Sequence, residues 1–159
     1  MAFEIHRGTN KVGSEVAPEN KGSSTMAQRN TKVLLVDDEP SICRALGIAL
    51  TRAGFDVTTA LSGEAAMEIV RREHMDVMIV DLRIPDMRGD TLFELAAATQ
   101  THLRRRTLFT TGDITERAEQ LIEACNCPLL RKPFDLKQLI DWVRGIQPMI
   151  RGNVGGTAS

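Results

Sequence analysis

The sequence predicts an α/β fold in which five parallel strands form one sheet with helices on both faces. Three observations predict it. Short, wholly apolar runs at 33–36 and 77–80 have the character of strands covered on both sides. Between such runs the apolar spacing changes to a helical period, and the strand–helix alternation occurs five times within residues 31–147. Finally, 42% apolar residues are enough to furnish a core for one domain of this size.

The elements follow in order. After the first strand, Pro40 opens a helix over 40–53 with Ile42, Ala45, Leu46, Ala49, Leu50 and Ala53 at helical spacing, and Gly54 stops it. The β-branched stretch 55–60 is the second strand. Ser62 is placed to cap a helix carrying Ala65, Ala66, Ile69 and Val70. The third strand, 77–80, precedes a helix over 90–99, a strand over 107–111 and a helix over 114–125. A short fifth strand covers 128–131. The closing helix, 135–146, sets Leu136, Leu139, Ile140, Val143 and Ile146 on one stripe.

Residues 1–30 and 148–159 lack any such period and are rich in Gly, Ser, Thr and Asn. They read as a flexible leader and tail that bury too little apolar surface to offset the entropy of ordering. Neither is long enough to house an output domain, so the chain is expected to act through another protein. With 20 Lys+Arg against 21 Asp+Glu, the net charge of −1 argues against direct binding to nucleic acid. No apolar run approaches the roughly 18 to 20 residues of a membrane span, and the N-terminus lacks a secretory h-region. Cys43, Cys125 and Cys127 form no even disulfide framework, and one Asn between the last two is not CxxC spacing. A reduced, cytoplasmic protein with no membrane partner is the expectation.

In open α/β sheets, ligands bind beyond the carboxyl ends of the strands. There the sequence places Asp37, Asp38 and Glu39 after the first strand, Asp81 after the third, Thr111 at the fourth and Lys132 after the fifth. Crowded carboxylates repel unless a cation sits among them. An all-oxygen set without Cys or His suits a hard ion such as Mg²⁺. One carboxylate can attack phosphorus to give an aspartyl phosphate, while a Lys charge and a Thr hydroxyl meet phosphoryl oxygens. Glu39 reads as support for the dipole of the first helix.

VLLVDDEP, DLRIPDMRG, TTG and KPF stand in order at four strand ends, and with them the sequence resembles the receiver domain of two-component response regulators over residues 31–147. The resemblance implies a flavodoxin-like, doubly wound (βα)5 three-layer sandwich with strand order 2-1-3-4-5. It makes Asp81 the phosphoacceptor and Mg²⁺ the cofactor. Asp38 would ligate the metal directly, Asp37 through water, and Asp81 and the backbone carbonyl of Arg83 would complete the set. Lys132 and Thr111 would contact the phosphoryl group, Thr111 acting also as the switch hydroxyl, and the Lys132–Pro133 bond would be cis. The phosphoryl donor would be a sensor histidine kinase or a histidine phosphotransfer protein, and the output a downstream protein target.

One position departs from the pattern. Relatives often carry a switch aromatic where this chain has Leu129, and the sequence contains no Tyr. Phe109 reads as core rather than as a substitute. Arg83 and Asp113 occupy positions that tune acyl-phosphate lifetime in relatives, and an Arg there predicts slow loss. Trp142 falls at the margin of the last helix's apolar stripe, either covering the core edge or anchoring a partner. Arg104, Arg105 and Arg106 read as a solvated run in a loop, and His6, His74 and His102 as bystanders. Two other functions compete: a degenerate receiver acting as a constitutive binding module, and a Mg²⁺-dependent phosphohydrolase of the haloacid dehalogenase type. The latter expects a DxD motif after the first strand, where this chain has DDE.

Overall fold

The computed structural model describes residues 29–152; the expected leader up to 28 and the tail from 153 lie outside the described residues. The strands are β1 (Lys32–Val36), β2 (Asp56–Ala60), β3 (Val77–Asp81), β4 (Thr107–Thr111) and β5 (Leu129–Arg131). The helices are α1 (Pro40–Arg52), α2 (Gly63–Arg72), α3 (Gly89–Thr99), α4 (Glu116–Cys125) and α5 (Leu136–Gly152), with a 3-10 turn at Thr101–Arg105. All strand pairs are parallel, in the order β2-β1-β3-β4-β5. The expected doubly wound sandwich is therefore the observed one.

Period-two alternation divides the core between the two faces of the sheet. Leu34 and Val36 of β1, with Met78 and Val80 of β3, pack under Ala66, Met67 and Val70 of α2 and Leu92, Phe93 and Ala96 of α3. Val33, Leu35, Val77 and Ile79 face the other way, against Cys43, Leu46 and Leu50 of α1 and Leu139, Val143 and Ile146 of α5. Each fully buried Leu or Ile contributes about 1.5 to 3 kcal/mol of transfer free energy. Phe109 is core, as its sequence context predicts, and meets Phe93 edge-on at 5.6 Å.

Local signals set the helix ends. Pro40 occupies the first turn of α1, where its missing N–H costs nothing, and Gly54 stops that helix region with φ 98°. Ser62 caps α2 by accepting from the Ala65 N–H at 3.1 Å, as expected. Thr115 does the same for Ala118, so α4 starts at Glu116 and not at 114. The last helix passes Pro148 and runs to Gly152, beyond the expected end at 146; Pro148 removes an amide hydrogen bond without ending it.

One expectation fails at the amino end of the sheet. The arginine run is not simply solvated: Arg104 pairs with Glu94 at 2.9 Å and lies over the Phe93 ring, and Arg106 is buried. His74 and His102, read as bystanders, meet there. Their rings stack at 4.6 Å, with His74 against the Asp76 carboxylate and His102 against the Met75 carbonyl. Asp76 itself is buried and also holds Arg29 through two hydrogen bonds, at 2.8 and 2.9 Å. Arg29, expected in the leader, is thus tied to the domain.

Candidate functional site

The site lies where the chain's winding direction reverses, between β1 and β3, at the carboxyl edge of the sheet. Register puts its residues side by side. Val36 pairs with Val80, so the next residues, Asp37 and Asp81, flank the reversal point. Thr111 pairs with Arg131, and the following residue is Lys132, whose bond to Pro133 is cis.

Lys132 joins the strands electrostatically. Its ammonium donates to Asp37 Oδ2 at 2.6 Å and to Asp81 Oδ2 at 2.8 Å. The remaining carboxylate oxygens accept backbone amides: Asp37 Oδ1 from Glu39, and Asp81 Oδ1 from Arg83, each at 2.9 Å. Glu39 therefore contributes its backbone at the entry of α1, and its side chain caps nothing. Burial works against the Lys132 charge, but the bonds to Asp37 and Asp81 outweigh it and hold the ammonium's pKa above the ordinary lysine value. For Asp81 burial dominates. It pushes the carboxyl above its usual range, although Lys132 and the Arg83 N–H pull the other way.

Asp37, Asp38 and Asp81 each offer a carboxylate oxygen, and the three oxygens lie within 4.8 Å of one another. Three carboxylates against one ammonium leave a local excess of negative charge that a dication would neutralise. The donor set is all oxygen, so these residues fit Mg²⁺. Asp38 is the member nearest solvent.

Other expected residues are placed differently. The Thr111 hydroxyl donates to the Asp113 carbonyl at 3.0 Å and accepts from the Asp113 N–H at 3.2 Å, closing a turn in the loop after β4. It is engaged with that loop and not with Asp81. Arg83 and Asp113, singled out together from the sequence, form an ion pair at 2.8 Å between the loops after β3 and β4. With Thr111 they line a cavity of about 250 Å³ between the loops after β3 and β4. Leu129 is half-buried against the α2–α3 side of the core. Trp142 is half-buried against the α1–α5 side, leaving only part of its ring to meet a partner. The sequence reading missed Asp86, whose carboxylate accepts the Gly63 and Glu64 amides at 2.9 Å each. No helix among the described residues is long and apolar enough to cross a membrane.

Known proteins resemble this chain in sequence and in fold. Residues 33–144 match the response regulator receiver domain family. The transcriptional regulatory protein KdpE of Mycobacterium tuberculosis is 49% identical over 59 residues, 37% of this chain and 26% of that protein. The probable transcriptional regulatory protein TcrX of the same organism is 31% identical over 115 residues, 72% of this chain and 48% of its own length. The chain spans less than half the length of the curated relatives it matches. Among solved structures, chemotaxis protein CheY4 of Vibrio cholerae superposes with a TM-score of 0.67 at 28% identity, covering 74% of this chain and 99% of that one. A CheY-like receiver domain from Methanospirillum hungatei reaches 0.72 at 18% identity, covering 79% and 99%. The sheet order, the carboxylate–lysine cluster at its carboxyl edge and the family match over most of the chain together establish that this protein belongs to the response regulator receiver domain family.

Proposed function

We propose that the chain is a phosphorylation-controlled switch. Asp81 takes a phosphoryl group from a phosphohistidine, on a sensor histidine kinase or a histidine phosphotransfer protein, in a Mg²⁺-dependent reaction. The observation that carries this reading is the single Lys132 ammonium held between Asp37 and Asp81. Receiver domains as a family accept phosphoryl groups from histidine kinases and bind Mg²⁺ at an acidic cluster, and this chain has the residues for both.

The step is a displacement at phosphorus. A carboxylate oxygen of Asp81 forms the new O–P bond while the N–P bond of the donor histidine breaks, its electron pair returning to the imidazole nitrogen. Asp38 and Asp37, with Asp81 and the Arg83 carbonyl, would hold Mg²⁺, which when bound neutralises charge on the phosphoryl oxygens. Lys132 supplies a positive charge preorganised beside the nucleophile. For its hydroxyl to meet the phosphoryl group, Thr111 must let go of Asp113. That exchange of partners moves the loop after β4 and is the conformational readout. With Leu129 in place of an aromatic residue, the signal rests on this loop rather than on a ring flip. The output is a protein–protein interaction with a downstream target, the exposed part of Trp142 being one contact on the last helix.

Intact mass after incubation with Mg²⁺ and phosphoramidate tests the reading. One phosphate adduct in the wild type, lost in Asp81→Asn, is expected. Turnover of a general phosphomonoester would favour a phosphohydrolase, and Mg²⁺ binding without any adduct would favour a constitutive binding module.

A further inference from the structure

Asp86 lies five residues beyond Asp81 in a loop whose base is closed. Arg83 and Arg88 form an antiparallel bridge, and the Gly89 amide donates to the Leu82 carbonyl at 3.2 Å. The tip of this loop reaches across to the N-terminus of α2. There Ser62 satisfies the Ala65 N–H and leaves those of Gly63 and Glu64 open. Asp86 takes both, one with each carboxylate oxygen. The two amides hold its carboxyl below the usual aspartate range, so it stays ionised while it does so. Beside it, Met87 packs on Gly63 so closely that a Cβ there would fall 2.5 Å from Met87 Cγ. The base of the same loop carries the Arg83 N–H that donates to Asp81 Oδ1 at 2.9 Å.

Resting on the proposed role of Asp81, we infer that Asp86 is a positioning residue for phosphoryl acceptance. By fastening the loop after β3 to the first turn of α2, it fixes the Arg83 N–H that orients the Asp81 carboxylate. The loop's other ties are apolar, Met87 on Gly63 and Ile84 in the core, and its neighbouring ion pairs, Arg83–Asp113 and Arg88–Asp90, involve exposed arginines. Without Asp86 the loop keeps its closed base and the Met87 contact but loses its two hydrogen bonds to α2, and its tip can shift. Asp81 then samples orientations in which its carboxylate is misaligned with the incoming phosphorus. Misplacement of a reacting group by an ångström costs up to about a hundredfold in rate.

The test separates this role from simple support of α2. Ser62→Ala removes a cap from the same helix without touching the loop, and so serves as the structural control. Phosphoramidate-driven adduct formation on the full chain should slow about tenfold in Asp86→Ala, stay within about twofold of wild type in Ser62→Ala, and recover in part in Asp86→Asn, which keeps one acceptor. Amide hydrogen exchange at Arg83, measured without phosphodonor, should accelerate in Asp86→Ala and not in Ser62→Ala. Equal rates and equal exchange in Asp86→Ala and Ser62→Ala would overturn the inference, even if both are slower than wild type. If Asp86→Ala does not fold, Asp86→Asn against Ser62→Ala gives the same comparison. An adduct that persists in Asp81→Asn would instead sink the reading of Asp81 and leave the two failures distinguishable.

Discussion

The ammonium of Lys132 stands 2.8 Å from the carboxylate of Asp81, a contact made across 51 residues of sequence by the register of β3, β4 and β5. The same ammonium reaches Asp37 at 2.6 Å, so one cation serves two buried carboxylates. Removing it leaves both uncompensated. Lys132→Ala should therefore destabilise the fold by about 3 kcal/mol in the presence of a chelator, the scale for breaking a buried pair. Mg²⁺ should restore part of that loss, since binding to the folded state alone adds about 2.7 kcal/mol at a hundredfold excess over Kd. Phosphorylation should nonetheless fall roughly a hundredfold, as when one preorganised charge is taken from a transition state. Urea unfolding with and without Mg²⁺, alongside adduct formation, checks all three. Stability unchanged by the substitution would contradict the account.

Arg83 and Asp113 bridge the loops after β3 and β4. If this bridge restricts the water that would attack the proposed aspartyl phosphate, that phosphate is expected to outlast seconds. Asp113→Ala frees the guanidinium and should shorten the lifetime several-fold while leaving phosphorylation by a small-molecule donor little changed. Intact mass followed in time after removing the donor measures it. A wild-type half-life of seconds, or no change in the variant, would refute the latch.

Gly89 begins α3 with its Cα hard against the backbone at the end of β3. A Cβ there would lie 2.8 Å from the Asp81 carbonyl oxygen and 2.8 Å from Leu82 Cα, and neither can swing aside as a side chain would. Gly89→Ala should cost about 1 to 3 kcal/mol through overpacking, with an impaired site. Gly145→Ala, where a Cβ meets nothing within 4 Å, should be neutral or slightly stabilising within a helix. Equal unfolding midpoints for the two variants would count against this packing.

His102 sits where burial holds its pKa below the ordinary histidine value, with the stacked His74 and nearby Arg106 acting in the same direction and Asp76 and the Met75 carbonyl opposing. As pH falls, the unfolded chain takes the proton first. Stability present above the ordinary histidine pKa of about 6.5 is then lost progressively toward the lower folded value. Asp76 behaves differently. Its burial is outweighed by Arg29, the Lys32 N–H and His74, which lower its pKa. Its contribution persists through the histidine window and disappears only in acid below the aspartate range. His102→Gln should flatten the slope of stability between pH 7.5 and 5.5 and leave the acid limb in place, as read by urea midpoints across that range.

Much of this was legible in the residues, because periodicity reports which face of an element is buried. The runs at 33–36 and 77–80 announced two inner strands and the strand-end positions of Asp37 and Asp81, and the strands at 107–111 and 128–131 gave those of Thr111 and Lys132. Periodicity does not report which groups meet across elements. The Asp86 bonds to Gly63 and Glu64 span 23 and 22 residues, and the His74–His102 stack joins the segment after α2 to the 3-10 turn after α3. Arg106 looked like one of three solvated charges, yet its place just before β4 carries it into the interior. The Thr111 hydroxyl was legible as a functional group, but its present partner, the backbone of Asp113, depends on a turn that composition alone does not specify. Thr115 followed by Ala118 was a cap signal available in the sequence, and it marks where α4 begins.

The central claim is that the phosphoryl group resides on Asp81, and site mapping tests it most directly. After phosphorylation with phosphoramidate and Mg²⁺, borohydride reduction converts an acyl phosphate to the alcohol at the modified residue, which peptide mass spectrometry then locates. The account predicts homoserine at position 81 and at no other aspartate. Reduction at Asp37 or Asp38, or stable phosphate on a histidine, serine or threonine, would contradict it.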